Sequence, residues 1–156
     1  MVEYTATSSS LADTRTIGRR IGELLQPGDV IALIGPLGAG KTHFVQAIGE
    51  SFGIAREEIN SPTFVLIQEY DGRVPICHID AYRLADVDEF LELGADELLG
   101  GDAICLIEWA DRVADVLPKD QIIVEIRVID ETSRQFQVRA ESGRGLELVN
   151  QLASPL

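Results

Sequence analysis

Eight consecutive residues constrain this chain more than any other feature: Gly35-Pro36-Leu37-Gly38-Ala39-Gly40-Lys41-Thr42, set between an apolar run and an amphipathic one. Ahead of them, Asp29 to Ile34 is apolar on both faces beyond its first residue, the pattern of a strand buried inside a sheet. Behind them, Phe44, Val45, Ile48 and Phe52 recur at helical spacing, and Gly53 closes that helix. A strand, a glycine-rich turn and a helix in this order match GxxxxGK[ST] without exception. The glycines let the backbone curl so that successive N–H groups converge on phosphate oxygens, and the positive end of the helix points at the same place. In such a loop Gly35, Gly38, Ala39 and Gly40 supply backbone, Lys41 places a compact charge on the β- and γ-phosphates, and the Thr42 hydroxyl is a ligand for Mg²⁺. Of the 13 Lys and Arg residues only Lys41 and Lys119 are lysines, so a chain that otherwise prefers Arg has a point donor in the loop. The expectation is a Mg²⁺-bound nucleoside triphosphate.

The rest of the chain supplies a frame for that loop. Ser10 with Asp13 three residues later marks an N-cap, after which Ile17, Ile21, Leu24 and Leu25 follow helical spacing up to Pro27-Gly28. Thr63 to Tyr70 and Arg73 to Asp80 flank Asp71-Gly72, which predicts a hairpin. Asp86 to Leu93 reads as helix, with one further turn at Asp96 to Leu99. Ala103 to Glu108 is a second buried strand, and a helix is expected over Trp109 to Leu117. Ile122 to Val128 and Phe136 to Ala140 alternate with period 2, predicting an antiparallel hairpin, and Leu146 to Leu152 a last short helix. The fold class is α/β, a P-loop NTPase-like mixed sheet flanked by helices and carrying antiparallel hairpins. With 156 residues and no long linker or repeat, one domain over residues 1–156 is the simplest organisation.

Catalysis needs more than the loop. Glu108 and Asp80 each end a buried strand, where a carboxylate neighbouring the loop can hold Mg²⁺ or orient the attacking nucleophile. Glu108 suits the metal, and Asp80 a base or water-orienting role. Thr63, in Asn60-Ser61-Pro62-Thr63, is either a sensor of the γ-phosphate or simply where a strand begins. No NKxD motif is present, which favours ATP over GTP. Arg134 is a candidate to stack on adenine or a surface arginine, and His43 a helix-surface residue beside the loop. Cys77 and Cys105 lie in apolar runs without CxxC spacing, and read as buried thiols. The net charge of −13 and the lack of a basic cluster exclude strong direct binding of tRNA or DNA, since phosphate contacts dominate nucleic-acid affinity. No apolar run reaches the ~20 residues that span a bilayer, and the start MVEYTATSSS has no signal-peptide pattern, so the expected compartment is the cytoplasm.

Four motifs occur together in one order and spacing: the glycine-rich loop, Ser61-Pro62-Thr63-Phe64, His78-Ile79-Asp80-Ala81-Tyr82-Arg83-Leu84 and Leu106-Ile107-Glu108-Trp109. In this they resemble the bacterial TsaE (YjeE) proteins over nearly the whole chain. The resemblance implies an ATPase that serves in making N6-threonylcarbamoyladenosine at position 37 of tRNA with the TsaD and TsaB proteins, tRNA being reached only through that pair; with no arginine obviously placed to stabilise the transferring phosphate, turnover alone is expected to be slow and partner-stimulated. It implies that Thr42 and Glu108 carry Mg²⁺, that Gly38 to Thr42 hold the phosphates of ATP, and that Ser10, Leu11 and Arg134 border the nucleoside. Pro36 and His43 stand where many members have Asp and Thr, and neither removes a phosphate or metal ligand. A small-molecule kinase, the main rival, would carry an arginine-rich lid, whereas Asp86, Asp88, Glu89 and Glu92 make the corresponding segment acidic.

Overall fold

Period-2 alternation places Ile31 and Leu33 on one face of the first buried strand and Val30 and Ala32 on the other, so that strand needs cover on both sides. The computed structural model, which describes residues 1–36, 38–59, 67–82, 84, 86–92, 94–99 and 101–154, shows how the cover is supplied. Leu37, Thr63 with the rest of its Ser61-Pro62-Thr63-Phe64 motif, and Arg83 lie outside the described residues.

In chain order the elements are β1 (Val2–Ser8), α1 (Leu11–Leu24), β2 (Val30–Ile34), α2 (Lys41–Glu50), β3 (Ile67–Tyr70), β4 (Ile76–Asp80), α3 (Val87–Glu92), α4 (Ala95–Leu98), β5 (Ile104–Glu108), β6 (Ile122–Val128), β7 (Arg134–Ala140) and α5 (Gly143–Ala153). The strands form a mixed sheet in the order β1-β7-β6-β2-β5-β4-β3. Its centre is parallel, β6-β2-β5-β4, and both margins are antiparallel. On one face Ile31, Leu33, Leu106 and Val124 pack under α1, α2 and α5, with Phe44 of α2 stacked 5.5 Å from Phe136 of β7. Burying a ring of that size contributes about 2–3 kcal/mol. On the other face Ala32, Ile79 and Ile107 meet Phe90 of α3 and Val113. The two cysteines sit there as register partners on β4 and β5, buried and unbridged.

Three local predictions change. The segment after β5 is a 3-10 helix, Ala110–Val116, kinked at Val113, and not an α-helix from Trp109. Trp109 itself takes a left-handed backbone (φ 57°), which breaks helical continuity at its first residue. The β3–β4 hairpin is closed by a longer connection than Asp71-Gly72, because the Arg73 N–H bonds the Phe52 carbonyl and Pro75 has no N–H to give, so β4 begins at Ile76. The last helix is longer than expected and starts at Gly143. Ser10 caps α1 as its sequence indicates, its hydroxyl accepting the Asp13 N–H at 3.1 Å while the Asp13 carboxylate accepts the Ser9 N–H at 2.9 Å.

Candidate functional site

The parallel centre of the sheet sets where the chemistry collects, because β2, β5 and β4 all end at the same edge. β2 runs into the glycine-rich loop, and α2 begins at Lys41 with Gly40 as its N-cap at φ 96°, a conformation that costs glycine little and other residues much. The first intrahelical bond joins the Phe44 N–H to the Gly40 carbonyl at 3.1 Å. Helix geometry therefore leaves the N–H groups of Lys41, Thr42 and His43 without intrahelical acceptors, at the positive end of the helix.

β5 lies directly beside β2 and carries Glu108 at its end, while β4 lies one strand further out and carries Asp80. Both acids end strands on this edge, as expected, and only Glu108 is on the immediate neighbour of the loop strand. Asp80 and Glu108 are register partners, so their side chains leave the sheet on one face. That face is the one covered by α2. Asp80 is 8% exposed and Glu108 5%, and the Lys41 side chain is buried near them. Its ammonium donates to the Gly35 carbonyl at 2.8 Å and stands 3.7 Å from the centroid of the Trp109 ring, a cation–π contact. Trp109 in turn packs 4.9 Å from Tyr82.

Burial sets the electrostatics of this cluster. Desolvation holds the Lys41 ammonium below the usual lysine range, opposed by the carboxylates of Glu108, Asp80 and Asp111. Desolvation also pushes the Asp80 carboxyl above its ordinary value. The Tyr82 N–H, which donates to Oδ1 at 2.9 Å, pulls the other way, and the neighbouring Glu108 adds to the rise. Thr42, Asp80 and Glu108 offer oxygen donors only, which suits a hard cation such as Mg²⁺. Among the described residues no group of three or more His, Cys, Asp or Glu side chains is assembled for a metal. Mg²⁺ bound here would complete its shell with phosphate and water oxygens, as that ion commonly does.

A second region opens on the other side of the loop. A cavity of about 380 Å³ lies between the start of α1, the loop and the β6–β7 turn. The structure brings Ser10, Leu11, Ala39, Gly40, His43 and Arg134 to its walls. Thr42, the second residue of α2, is half-buried. The Arg134 guanidinium is engaged with backbone: Nε donates to the Ala39 carbonyl at 3.1 Å and Nη2 to the Gly38 carbonyl at 3.2 Å, while Nη1 reaches the Asp130 carbonyl at 2.8 Å. Arg134 thus holds the outer side of the loop, a role the sequence does not announce.

The family model for the threonylcarbamoyl adenosine biosynthesis protein TsaE matches residues 8–136, a span that includes the loop, both carboxylates and Arg134. The chain belongs to the TsaE family. Among curated relatives, the tRNA threonylcarbamoyladenosine biosynthesis protein TsaE of Treponema pallidum is 43% identical over 131 residues, 84% of this chain and 96% of its own. That of Bacillus subtilis is 38% identical over 142 residues, 90% of this chain and 88% of its own. The crystal structure of Bacillus subtilis YdiB superposes with a TM-score of 0.82 at 31% identity, covering 97% of this chain and 95% of that one. The mixed sheet flanked by helices is accordingly the TsaE fold, a P-loop NTPase-like α/β arrangement.

Within this TsaE framework, sequence reasoning passed over several residues that the structure puts at the site. Ser9, Thr14, Glu131 and Thr132 line the cavity with the expected set. His78 is wholly buried and lies against Glu108. Its signal was available, since period 2 puts His78 on the same face of its strand as Asp80, where the flanking residues are otherwise apolar.

Proposed function

We propose that this chain is a Mg²⁺-dependent ATPase that acts in tRNA threonylcarbamoyladenosine formation, alongside the TsaD and TsaB proteins that transfer the threonylcarbamoyl group. The observation that carries the reading is the buried set Lys41, Asp80 and Glu108 gathered at the mouth of a GxxxxGKT loop. Three charges so buried are costly for a fold and are kept where they meet a ligand.

The loop N–H groups and the α2 terminus bind the phosphates, and Lys41 places its ammonium where negative charge develops on the transferring group. Mg²⁺, held by Thr42 and Glu108 when bound, supplies charge neutralisation on phosphate oxygens. Asp80 orients the attacking water and accepts its proton, a role suited to a carboxyl raised above its ordinary value. The cavity bordered by Ser10, Leu11, His43 and Arg134 takes the nucleoside, with ATP preferred. Thr63, outside the described residues, keeps its place in the reading as a sensor of the γ-phosphate. No described arginine side chain is bonded within the Lys41–Glu108 cluster, and the protein alone turns over slowly. A partner-supplied arginine accelerates P-loop hydrolysis about 10³–10⁵-fold, and TsaD–TsaB is the proposed source of stimulation. The acidic surface, at a net charge of −13, leaves tRNA to that pair. The compartment is the cytoplasm; consistently, no helix among the described residues is long and apolar enough to cross a membrane.

Reconstitution with TsaD, TsaB, threonylcarbamoyladenylate and tRNA tests the whole reading. ATP loss and modified tRNA, followed over repeated cycles, should both rise when this chain is added. If the pair leaves its ATP turnover unchanged, and repeated modification proceeds equally well without it, the reading fails.

A further inference from the structure

A buried carboxylate needs hydrogen-bond donors, and the donor at Glu108 comes from a residue that the proposed mechanism does not use. His78 Nε2 lies 2.5 Å from Glu108 Oε2. A carboxylate only accepts, so the imidazole donates. His78 sits on β4 opposite Leu106, two residues before Asp80, just as Leu106 sits two residues before Glu108 on β5. The ring therefore reaches diagonally across two parallel strands, on the face that carries both acids. Packing alone does not account for an imidazole at this position. Its Nδ1 is buried without a hydrogen-bond partner among the described residues, a cost of about 1–3 kcal/mol that an apolar ring would not incur. The neighbouring Tyr70 ring, 6.3 Å away, would pack against phenylalanine equally well.

We propose that His78 is a positioning residue, whose Nε2–H fixes Oε2 of Glu108 and leaves Oε1 for the phosphate-bound cation. The inference rests on the Mg²⁺–ATP reading of the site. Hydrogen-bond partners that orient metal ligands typically change metal affinity roughly 10- to 100-fold when removed. His78→Phe keeps a ring and removes the donor, whereas His78→Gln returns an N–H close to the position of Nε2.

Calorimetric titration of ATP into the full chain, with Mg²⁺ varied or chelated by EDTA, reads the effect. In His78→Phe the Mg²⁺ concentration for half-maximal tightening should rise about tenfold or more, while ATP affinity in EDTA stays within about twofold. His78→Gln should recover most of the loss. A second measurement needs no variant of His78. The chain has two histidines, so ¹⁵N-histidine labelling gives two ring systems, and His43→Gln assigns them. The His78 Nε2 resonance should move when Mg²⁺ is added to the ATP complex, and should move also in Glu108→Gln. A folded His78→Phe protein with the wild-type Mg²⁺ midpoint overturns the proposal, as does His78→Gln behaving like His78→Phe, or a His78 signal indifferent to Mg²⁺. If wild type itself binds ATP without regard to Mg²⁺, the underlying reading falls and the proposal with it. The wild-type titration thus separates the two failures.

Discussion

The two sides of the glycine-rich loop are built on opposite plans. On the side of β4 and β5, Lys41, His78, Asp80 and Glu108 are all at most 8% exposed; Lys41 donates to the Gly35 carbonyl and His78 to Glu108, while Asp80 accepts the Tyr82 N–H. On the side of α1 and the β6–β7 turn, the cavity is walled by backbone and by partly open residues, among them Leu11 at 42% exposure and the exposed Glu131 and Thr132. Charges withdrawn from water interact strongly, because the effective dielectric is low. Contacts at an open wall are each screened and weak. The proposed chemistry is placed on the first side, where a single group can change a rate by orders of magnitude. Recognition can be spread over the second, where no one side chain dominates.

The sharpest way to break this contrast is Lys41→Ala. Loss of a preorganised donor from a buried site costs roughly 10²–10³-fold in turnover, so hydrolysis should fall at least about 100-fold, while the circular dichroism spectrum and a cooperative melt persist. A folded Lys41→Ala protein that hydrolyses ATP at the wild-type rate removes the basis for the distinction. Next in size is the pair of carboxylates. Glu108→Ala should weaken Mg²⁺-dependent ATP binding by roughly 100-fold, about 2.7 kcal/mol. Asp80→Ala should instead lower kcat more than it raises the nucleotide dissociation constant. Steady-state kinetics beside equilibrium binding distinguishes the two, and the reverse pattern would exchange their roles.

On the open side the expected effects are smaller and more informative in kind than in size. Arg134→Ala should weaken nucleotide binding by about tenfold or less, since four hydrogen bonds to the carbonyls of Ala39, Gly38, Asp130 and Ser133 are lost from a part-exposed setting. The comparison between ATP and inorganic triphosphate decides what the guanidinium does. Holding the loop carbonyls predicts equal losses for both. Stacking on adenine predicts a loss confined to ATP.

How much of this was legible beforehand follows from the distance along the chain over which each feature is written. The loop, the Ser10 cap and the β6–β7 hairpin are local patterns, and each lies where its residues indicate. The carboxylates were legible as strand ends, but their order relative to β2 was not, because parallel neighbours are chosen by crossover packing and not by local spacing. The bond from His78 to Glu108 spans 30 residues and that from Arg134 to Ala39 spans 95, so both depend on sheet register. The segment after Trp109 is helical, as its spacing indicates, but its 3-10 form was not legible because apolar spacing fits either form, and the left-handed Trp109 backbone has no signature in sequence.

The smallest expected effect concerns stability and carries a definite sign. Burial raises the Asp80 carboxyl above its ordinary value, with the Tyr82 N–H opposing and Glu108 adding to the rise. A folded-state pKa above the unfolded one means that the folded chain holds its proton more tightly. Ionised Asp80 therefore opposes folding at neutral pH, and the penalty disappears as pH falls through the raised folded value. Asp80→Asn keeps an oxygen to accept the Tyr82 N–H and removes the charge. Without nucleotide or Mg²⁺ it should melt above wild type at pH 7 to 8. Single stabilising substitutions commonly yield about 0.5–2 kcal/mol, and each kcal/mol is worth about 2–4 °C for a chain of this size. The gap should narrow steadily as the melts are repeated towards acid, although hydrolysis by the variant is impaired at every pH. If Asp80→Asn melts below wild type at pH 8, attraction to Lys41 outweighs desolvation. The buried side of the site would then be a net contributor to the fold, not a cost accepted for function.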